Sequence, residues 1–335
     1  MHQSRLFVLV TPTTLTYDLS SPLCAVLICK DEAANIGAAL DSLDGRVAQI
    51  VVVDTGSSDE TAQICAQRGA ELHFREWTGD FAAARNHALQ FARRPWILAL
   101  DADERLDELP LPELTALLED ESIGGLRVTI RSQLGEGDQF HEHRYPRLFR
   151  RHPQIRYRGA VHEQIGAAIE ESGLRITDCP VVIQHLGYAV HDEQKAARNR
   201  ALLEQELQRQ PDDAWLRYHL GQTEFADGNR DKAAAHFEQA LAGDGLSAEQ
   251  RSFARLRLAQ AALANNKYSE VLRHTEAGCD EMHQEGFRMF MRGLAYALMN
   301  RRAEALPLLE APAARSSSLV DQERRQQLLD LCRRT

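Results

Sequence analysis

Through its first third the chain alternates short, almost wholly apolar runs with segments whose apolar residues return every three or four positions. The runs "LCAVLICK" (23–30), "AQIVVVD" (48–54), "AELHF" (70–74) and "WILALD" (96–101) read as strands. Between them "DEAANIGAALDSL" places Ile36, Leu40 and Leu43 on one helical face. "DETAQICAQR" follows Ser57 and Ser58, either of which can cap a helix, and Gly69 stands where a left-handed C-terminal residue is wanted. Asp80 can cap a third helix, "FAAARNHALQFARR". Strand and helix in strict alternation, with short connections, predict a parallel sheet wound by right-handed crossovers.

After Leu106 the alternation loosens. "PLPELTALLEDE" reads as a short helix; "GGLRVTIRSQ", "RYPRLFRR", "IRYRGAVHEQI" and "ITDCPVVIQHLGY" read as strands, expected to be antiparallel and to extend the sheet. From 191 onward the chain is helical and repeats itself. Gly221, Gly228, Ala233, Phe237 and Ala240 sit at tetratricopeptide-repeat offsets. Ala259, Ala262, Val271 and Thr275, then Gly293, Tyr296, Ala305 and Leu309, form two weaker copies. Each hairpin leaves an apolar face that only a neighbour covers, and "DQERRQQLLDLCRRT" suits a polar closing helix. Such an array either braces its neighbour or binds peptide, and it allows a homodimer through the repeats. The expected organisation is a leader or edge segment over 1–22, an α/β domain over 23–190 and an all-α repeat domain over 191–335.

A length of 335 residues with 44% hydrophobic and 26% charged residues fits a folded chain of two domains. The formal net charge of -10 argues against a nucleic-acid partner, because phosphate backbones reward dense basic patches. It leaves room for a nucleotide, whose charge a metal ion can screen locally. Cys24, Cys29, Cys65, Cys179, Cys279 and Cys332 are scattered, which points to a reducing, cytoplasmic compartment. The patch Leu6–Val10 is too short for a signal-peptide core, and no run approaches the roughly 20 apolar residues of a membrane helix. The expectation is a cytoplasmic protein without an integral membrane segment, at most peripheral at the inner membrane.

Ligands of parallel sheets collect at the carboxyl ends of the strands. Three acidic stretches fall at such ends: Lys30-Asp31-Glu32, Asp54-Thr55-Gly56 and Asp101-Ala102-Asp103. If the chain stays extended there, Asp101 and Asp103 face the same side about 7 Å apart. Two such charges brought to about 4 Å repel by roughly 4 kcal/mol at an effective dielectric of 20. Oxygen donors with no cysteine beside them favour Mg²⁺ or Mn²⁺, each of which commonly completes its shell with substrate phosphate. The plainer alternative is that Asp103, Glu104 and Asp107 merely solvate a loop.

"LCAVLICKDEAANI", "IVVVDTGSSDETAQIC", "WTGDFAAARNHAL" and "WILALDADERL", in that order, resemble a family 2 glycosyltransferase of the GT-A fold, in the bacterial group that carries a tetratricopeptide tail. The likeness covers about residues 23–190, and the tail in architecture. It implies a Rossmann-like, mostly parallel α/β domain followed by an all-α repeat domain. It also implies a nucleotide-sugar donor, with a UDP-sugar favoured, and a peptide or saccharide acceptor.

Residue by residue, the resemblance implies that Asp54 bonds the nucleotide base and that Lys30, Asp31 and Glu32 flank base and ribose. Arg85 lies near base and phosphates, and Asp101 and Asp103 serve metal and ribose. Glu163 in "AVHEQI" stands where such enzymes carry the base of an inverting transfer, with Glu104 as the alternative or a contact to the sugar or acceptor. His162 bonds the sugar, orients Glu163 or is structural. His185, ending "VVIQH", is the candidate third metal ligand. Tyr188 and the loop Gly135–Asp138 are interface and lid candidates, and Trp77 and Phe81 read as core or hinge. "HEQIG" lacks the second histidine of a zinc-protease helix. No Gln-x-x-Arg-Trp run or membrane span suggests a processive synthase, so a single-sugar transfer is expected.

Two competing classes are a peptide-binding adaptor with an inactive transferase-like domain, and nucleotidyl transfer. The intact acids oppose the first. The lack of a Gly-rich phosphate loop after "LCAVLICK" opposes the second.

Overall fold

The computed structural model describes residues 14–133, 140–161, 163–186 and 193–333. The chain divides into two compact units, one ending at Glu193 and one beginning at Gln194. In the first, β1 (Leu23–Cys29), α1 (Ile36–Asp41), β2 (Gln49–Asp54), α2 (Thr61–Gln67), β3 (Glu71–Phe74), α3 (Phe81–Leu89) and β4 (Trp96–Ala99) follow the expected alternation. β5 (Glu104–Glu108), α4 (Leu111–Glu119), β6 (Ile123–Gln133), β7 (Phe140–Arg150), α5 (Gly166–Glu171) and β8 (Arg175–His185) complete it.

β1 and β2 are buried on both faces, which is why they read as continuous apolar runs. Leu23, Ala25 and Leu27 pack on one side with Ile36, Leu40, Leu43 and, from α4, Leu114. Cys24 and Val26 point the other way, to Ala82, Ala88 and Leu89 of α3 and Ile169 of α5. Each fully buried Leu or Ile here contributes about 1.5–3 kcal/mol relative to exposure.

One eight-stranded sheet runs β3-β2-β1-β4-β7-β6-β8-β5. β3, β2, β1 and β4 are mutually parallel, so their carboxyl ends share one rim. β7 is antiparallel to β4 and β6, as expected for the extension. β8, however, runs parallel to β6, because β7 and α5 carry the chain back before it enters. "IRYRGAVHEQI" forms no strand, only an isolated bridge between Arg158 and Gln164. β5 was hidden in the sequence: it is an edge strand on β8, with Glu104 opposite His185.

Residues 14–22 are no edge strand. Leu15 is buried, its N–H donating to Arg68 O, and the Tyr17 hydroxyl donates to Gly69 O at 2.8 Å. Residues 1–13 lie outside the described residues, as do His162, Tyr188 and the loop Gly135–Asp138.

The second unit contains α6 (Glu193–Arg209), α7 (Ala214–Ala226), α8 (Arg230–Ala242), α9 (Ala248–Ala264), α10 (Tyr268–His274), α11 (Met282–Leu298), α12 (Arg302–Glu310), α13 (Pro312–Ser316) and α14 (Gln322–Arg333). Three helical hairpins, α7/α8, α9/α10 and α11/α12, carry the repeat. Gly221 faces Phe237 and Gly293 faces Leu309, and a Cβ on either glycine would meet the partner side chain at 2.8 Å. The turn within each hairpin takes a left-handed residue at the matching place: Gly228, Asn266 and Asn300. Among the described residues no helix is long and apolar enough to cross a membrane.

Candidate active site

The rim is built at three of the parallel strand ends. Asp54 ends β2 and is 1% exposed. Its Oδ1 accepts the N–H groups of Gly56 at 2.8 Å and Ser57 at 2.7 Å, while Oδ2 is buried with no partner. A buried acceptor left open in this way is suited to a ligand donor such as a nucleobase N–H. Beside it, Asp31 holds a left-handed φ of 52°, fixed by bonds to the β2 loop. Its N–H donates to Ser57 Oγ at 2.9 Å, and its Oδ1 accepts Ser58 N–H at 2.7 Å. The Ser58 bonds hold the Asp31 carboxyl below its ordinary range. Ser57 and Ser58 thus tie two loops together rather than capping α2. Glu32 accepts Asn35 Nδ2 at 2.8 Å, and Lys30 is exposed.

At the third strand end the chain turns. Glu104 N–H donates to Asp101 O at 3.0 Å, so residues 101–104 are not extended and the same-face argument for Asp101 and Asp103 fails. Asp101 instead meets two arginines. Arg85 Nη2 donates to its Oδ1 at 2.6 Å, and Arg147 Nη2 donates to its Oδ2 at 2.8 Å. Burial pushes the Asp101 carboxyl up, but Arg147 and Arg85 outweigh it and hold the group well below the usual carboxylate range.

Arg85 comes from α3, whose N-terminus is capped by Asp80 accepting Ala83 N–H at 2.8 Å. Its Nε donates to Glu163 Oε1. The loop carrying Glu163 is pinned by the Arg158–Gln164 bridge, and Phe81 N–H at the start of α3 donates to Ala160 O at 2.8 Å. That contact brings a helix residue and a loop residue far apart in sequence into one ion pair. Trp77 and Phe81 pack edge to face with centroids 4.7 Å apart; both are half-buried and stand outside the two core clusters of this unit.

Arg147 was not singled out by the sequence. It is the extra residue of a β-bulge: Leu126 pairs with Leu148 and Arg127 with Pro146, leaving Arg147 unpaired. Bulges re-aim side chains beside active sites. Here the bulged residue reaches Asp101 and, at 3.0 Å, Glu104 Oε1. In the sequence Arg147 is one arginine of a basic run, with nothing to separate it from its neighbours.

Glu104 is 2% exposed, and its Oε2 accepts Asp101 N–H at 2.8 Å. Burial pushes it up to about 7 against the pull of Arg147. It braces the turn after β4 from inside the fold, at a position for which the sequence reading expected a contact to sugar or acceptor. Asp103 faces His185 instead, with Oδ2 3.3 Å from Nε2, and the β5–β8 register brings them together. Hydrogen bonding to Asp103 raises the His185 pKa. Among the described residues no three His, Cys, Asp or Glu side chains gather closely enough to hold an ion. The expected Asp101–Asp103–His185 triad is thus not assembled: the 101–104 turn and the two arginines hold Asp101 apart from the other two.

The sequence model described as "Glycosyl transferase family 2" matches residues 24–175. A TPR repeat-containing protein of Synechococcus elongatus is 35% identical over 224 residues, 64% of this chain and 55% of that protein. The lipopolysaccharide core biosynthesis glycosyltransferase LpsC of Rhizobium meliloti is 40% identical over 142 residues, 39% of this chain and 51% of that one. The chain thus spans about half the length of these curated relatives. Among solved structures, glucosyl-3-phosphoglycerate synthase from Mycobacterium tuberculosis, in complex with Mn²⁺, UDP and phosphoglyceric acid, aligns with a TM-score of 0.38 at 16% identity, over 60% of this chain and 87% of that one. Residues 24–175, which hold nearly all of the parallel strands β1 to β4, thus match glycosyl transferase family 2, and an array of helical hairpins follows them in the chain.

Proposed function

We propose that this chain is a non-processive glycosyltransferase that moves one sugar from a nucleoside diphosphate sugar to an acceptor, with inversion at the anomeric carbon. The observation that carries the reading is that one rim of parallel strand ends holds an open buried acceptor, Asp54 Oδ2 after β2, and, beyond β4, Asp101 gripped by Arg85 and Arg147 with Glu163 paired to Arg85. Asp54 receives the nucleobase, with Lys30, Asp31 and Glu32 bordering base and ribose. Arg85 and Arg147 supply the positive charge that a leaving diphosphate requires. Glu163 takes the acceptor's proton as the glycosidic bond forms; His162, its neighbour in sequence, is the candidate contact to sugar or acceptor.

Asp103 and His185 offer one oxygen and one nitrogen donor facing each other, a set that suits Mn²⁺ or Mg²⁺ when substrate phosphate and water fill the remaining positions. His185 Nδ1 lies 3.4 Å from Ser132 Oγ, an outer contact that would orient the ring while Nε2 stays turned toward Asp103. When bound, the ion would screen charge on the departing diphosphate. The acceptor is a peptide or a cell-surface glycan, which the helical hairpins either present or leave to the first unit.

Calorimetric titration with UDP, GDP and dTDP, with and without Mn²⁺, tests the reading. Metal-enhanced binding that Asp103→Ala removes, and a general loss of affinity in Asp54→Ala, are expected. Wild-type protein that binds none of the three nucleotides would overturn it in favour of a peptide-binding adaptor.

A further inference from the structure

Arg85 is 5% exposed, and its Nη1 is buried with no hydrogen-bond partner. Two neighbouring buried donors share that condition, Arg147 Nε and the Tyr157 hydroxyl. The three belong to one cluster: both arginines bond Asp101, and the Arg85 guanidinium lies over the Tyr157 ring at 5.5 Å from its centroid. Leaving a buried donor unsatisfied is costly, so such groups mark a place where an acceptor belongs. A ligand bearing several anionic oxygens answers all three donors. Yet another of the Arg85 donors, Nε, is committed to Glu163, the residue assigned above as the base.

We infer that Arg85 is a switch: it masks Glu163 while the site is empty, and the diphosphate of the arriving donor draws it away, uncovering the base only when the donor is seated. This rests on the reading of the site as a nucleotide-sugar transferase. A carboxylate oxygen held by a guanidinium cannot at the same time take the acceptor's proton, and releasing it frees that oxygen where the acceptor hydroxyl or thiol arrives. Donor must then bind before acceptor, and nucleotide affinity is reduced by the strength of the Arg85–Glu163 pair, because that pair has to break.

The second consequence gives the test. Whichever of UDP, GDP or dTDP binds wild-type protein best is titrated into Glu163→Gln and Glu163→Asp, alongside the matching nucleoside without phosphates. Both variants are expected to bind the diphosphate about three- to tenfold more tightly than wild type, with nucleoside affinity unchanged. Glu163→Asp keeps the charge but shortens the reach to Arg85. If only Glu163→Gln tightens, local charge and not the pair is responsible and the switch is refuted; unchanged or weaker binding in both refutes it too. Matching thermal unfolding curves exclude a folding defect. If wild-type protein binds no diphosphate, the transferase reading itself falls and this inference with it.

Discussion

Arg147 Nη2 lies 2.8 Å from Asp101 Oδ2, joining a bulged residue of β7 to the turn after β4. The same nitrogen also reaches Glu104, so one guanidinium neutralises two carboxylates where the sheet changes from parallel to antiparallel.

Arg147 side-chain atoms are 14% exposed and those of Glu104 3%, so removing the guanidinium strands buried charge. Arg147→Met is expected to destabilise the first unit by about 3–5 kcal/mol. Urea unfolding followed by tryptophan fluorescence would measure this. A change below about 1 kcal/mol would mean that solvent already screens the cluster.

Asp101 and His185 should separate two roles that the sequence had merged. His185→Ala is expected to abolish the increment that Mn²⁺ adds to nucleotide binding. Asp101→Asn is expected to lower nucleotide affinity equally with and without the ion, because it disturbs Arg85 and Arg147. Equal loss of metal dependence in both variants would return Asp101 to the ion's shell.

Glu71 on β3 is drawn down to about 2, chiefly by its bonds to Arg93, with Gln49 and His73 adding to it. Its pKa is lower in the folded chain than the ordinary 4.5, so its contribution is present above 4.5 and is lost as pH falls from there toward 2. Glu71→Gln should therefore melt below wild type at pH 7 and level with it near the bottom of that window. Added salt should shrink the gap at pH 7, since the Arg93 side chain is largely exposed.

Gly221→Ala places a methyl group 2.8 Å from the Phe237 ring and should cost the second unit about 1–3 kcal/mol. Phe237→Leu in the same chain should recover part of the loss. Calorimetric melting of the single and double variants is the check, and strict additivity would show that helix and ring do not compete for that space.

Periodicity alone carried the four parallel strands and the repeated hairpins. Burial on both faces makes β1 and β2 continuous apolar runs, and close helix contact demands a small residue opposite a large one, as at Gly221 and Phe237. The motifs likewise put Asp54, Asp101 and Asp103 at or just beyond parallel strand ends, whereas Glu163 lies in a loop where the sequence reads a strand. What each acid does there was decided by contacts across the fold. A turn after β4 parted Asp101 from Asp103, a one-residue bulge sent Arg147 to Asp101, and edge pairing of β5 on β8 set His185 against Asp103. A bulge and a pairing register depend on which strands meet, and strand partners far apart in the chain leave no local periodic trace.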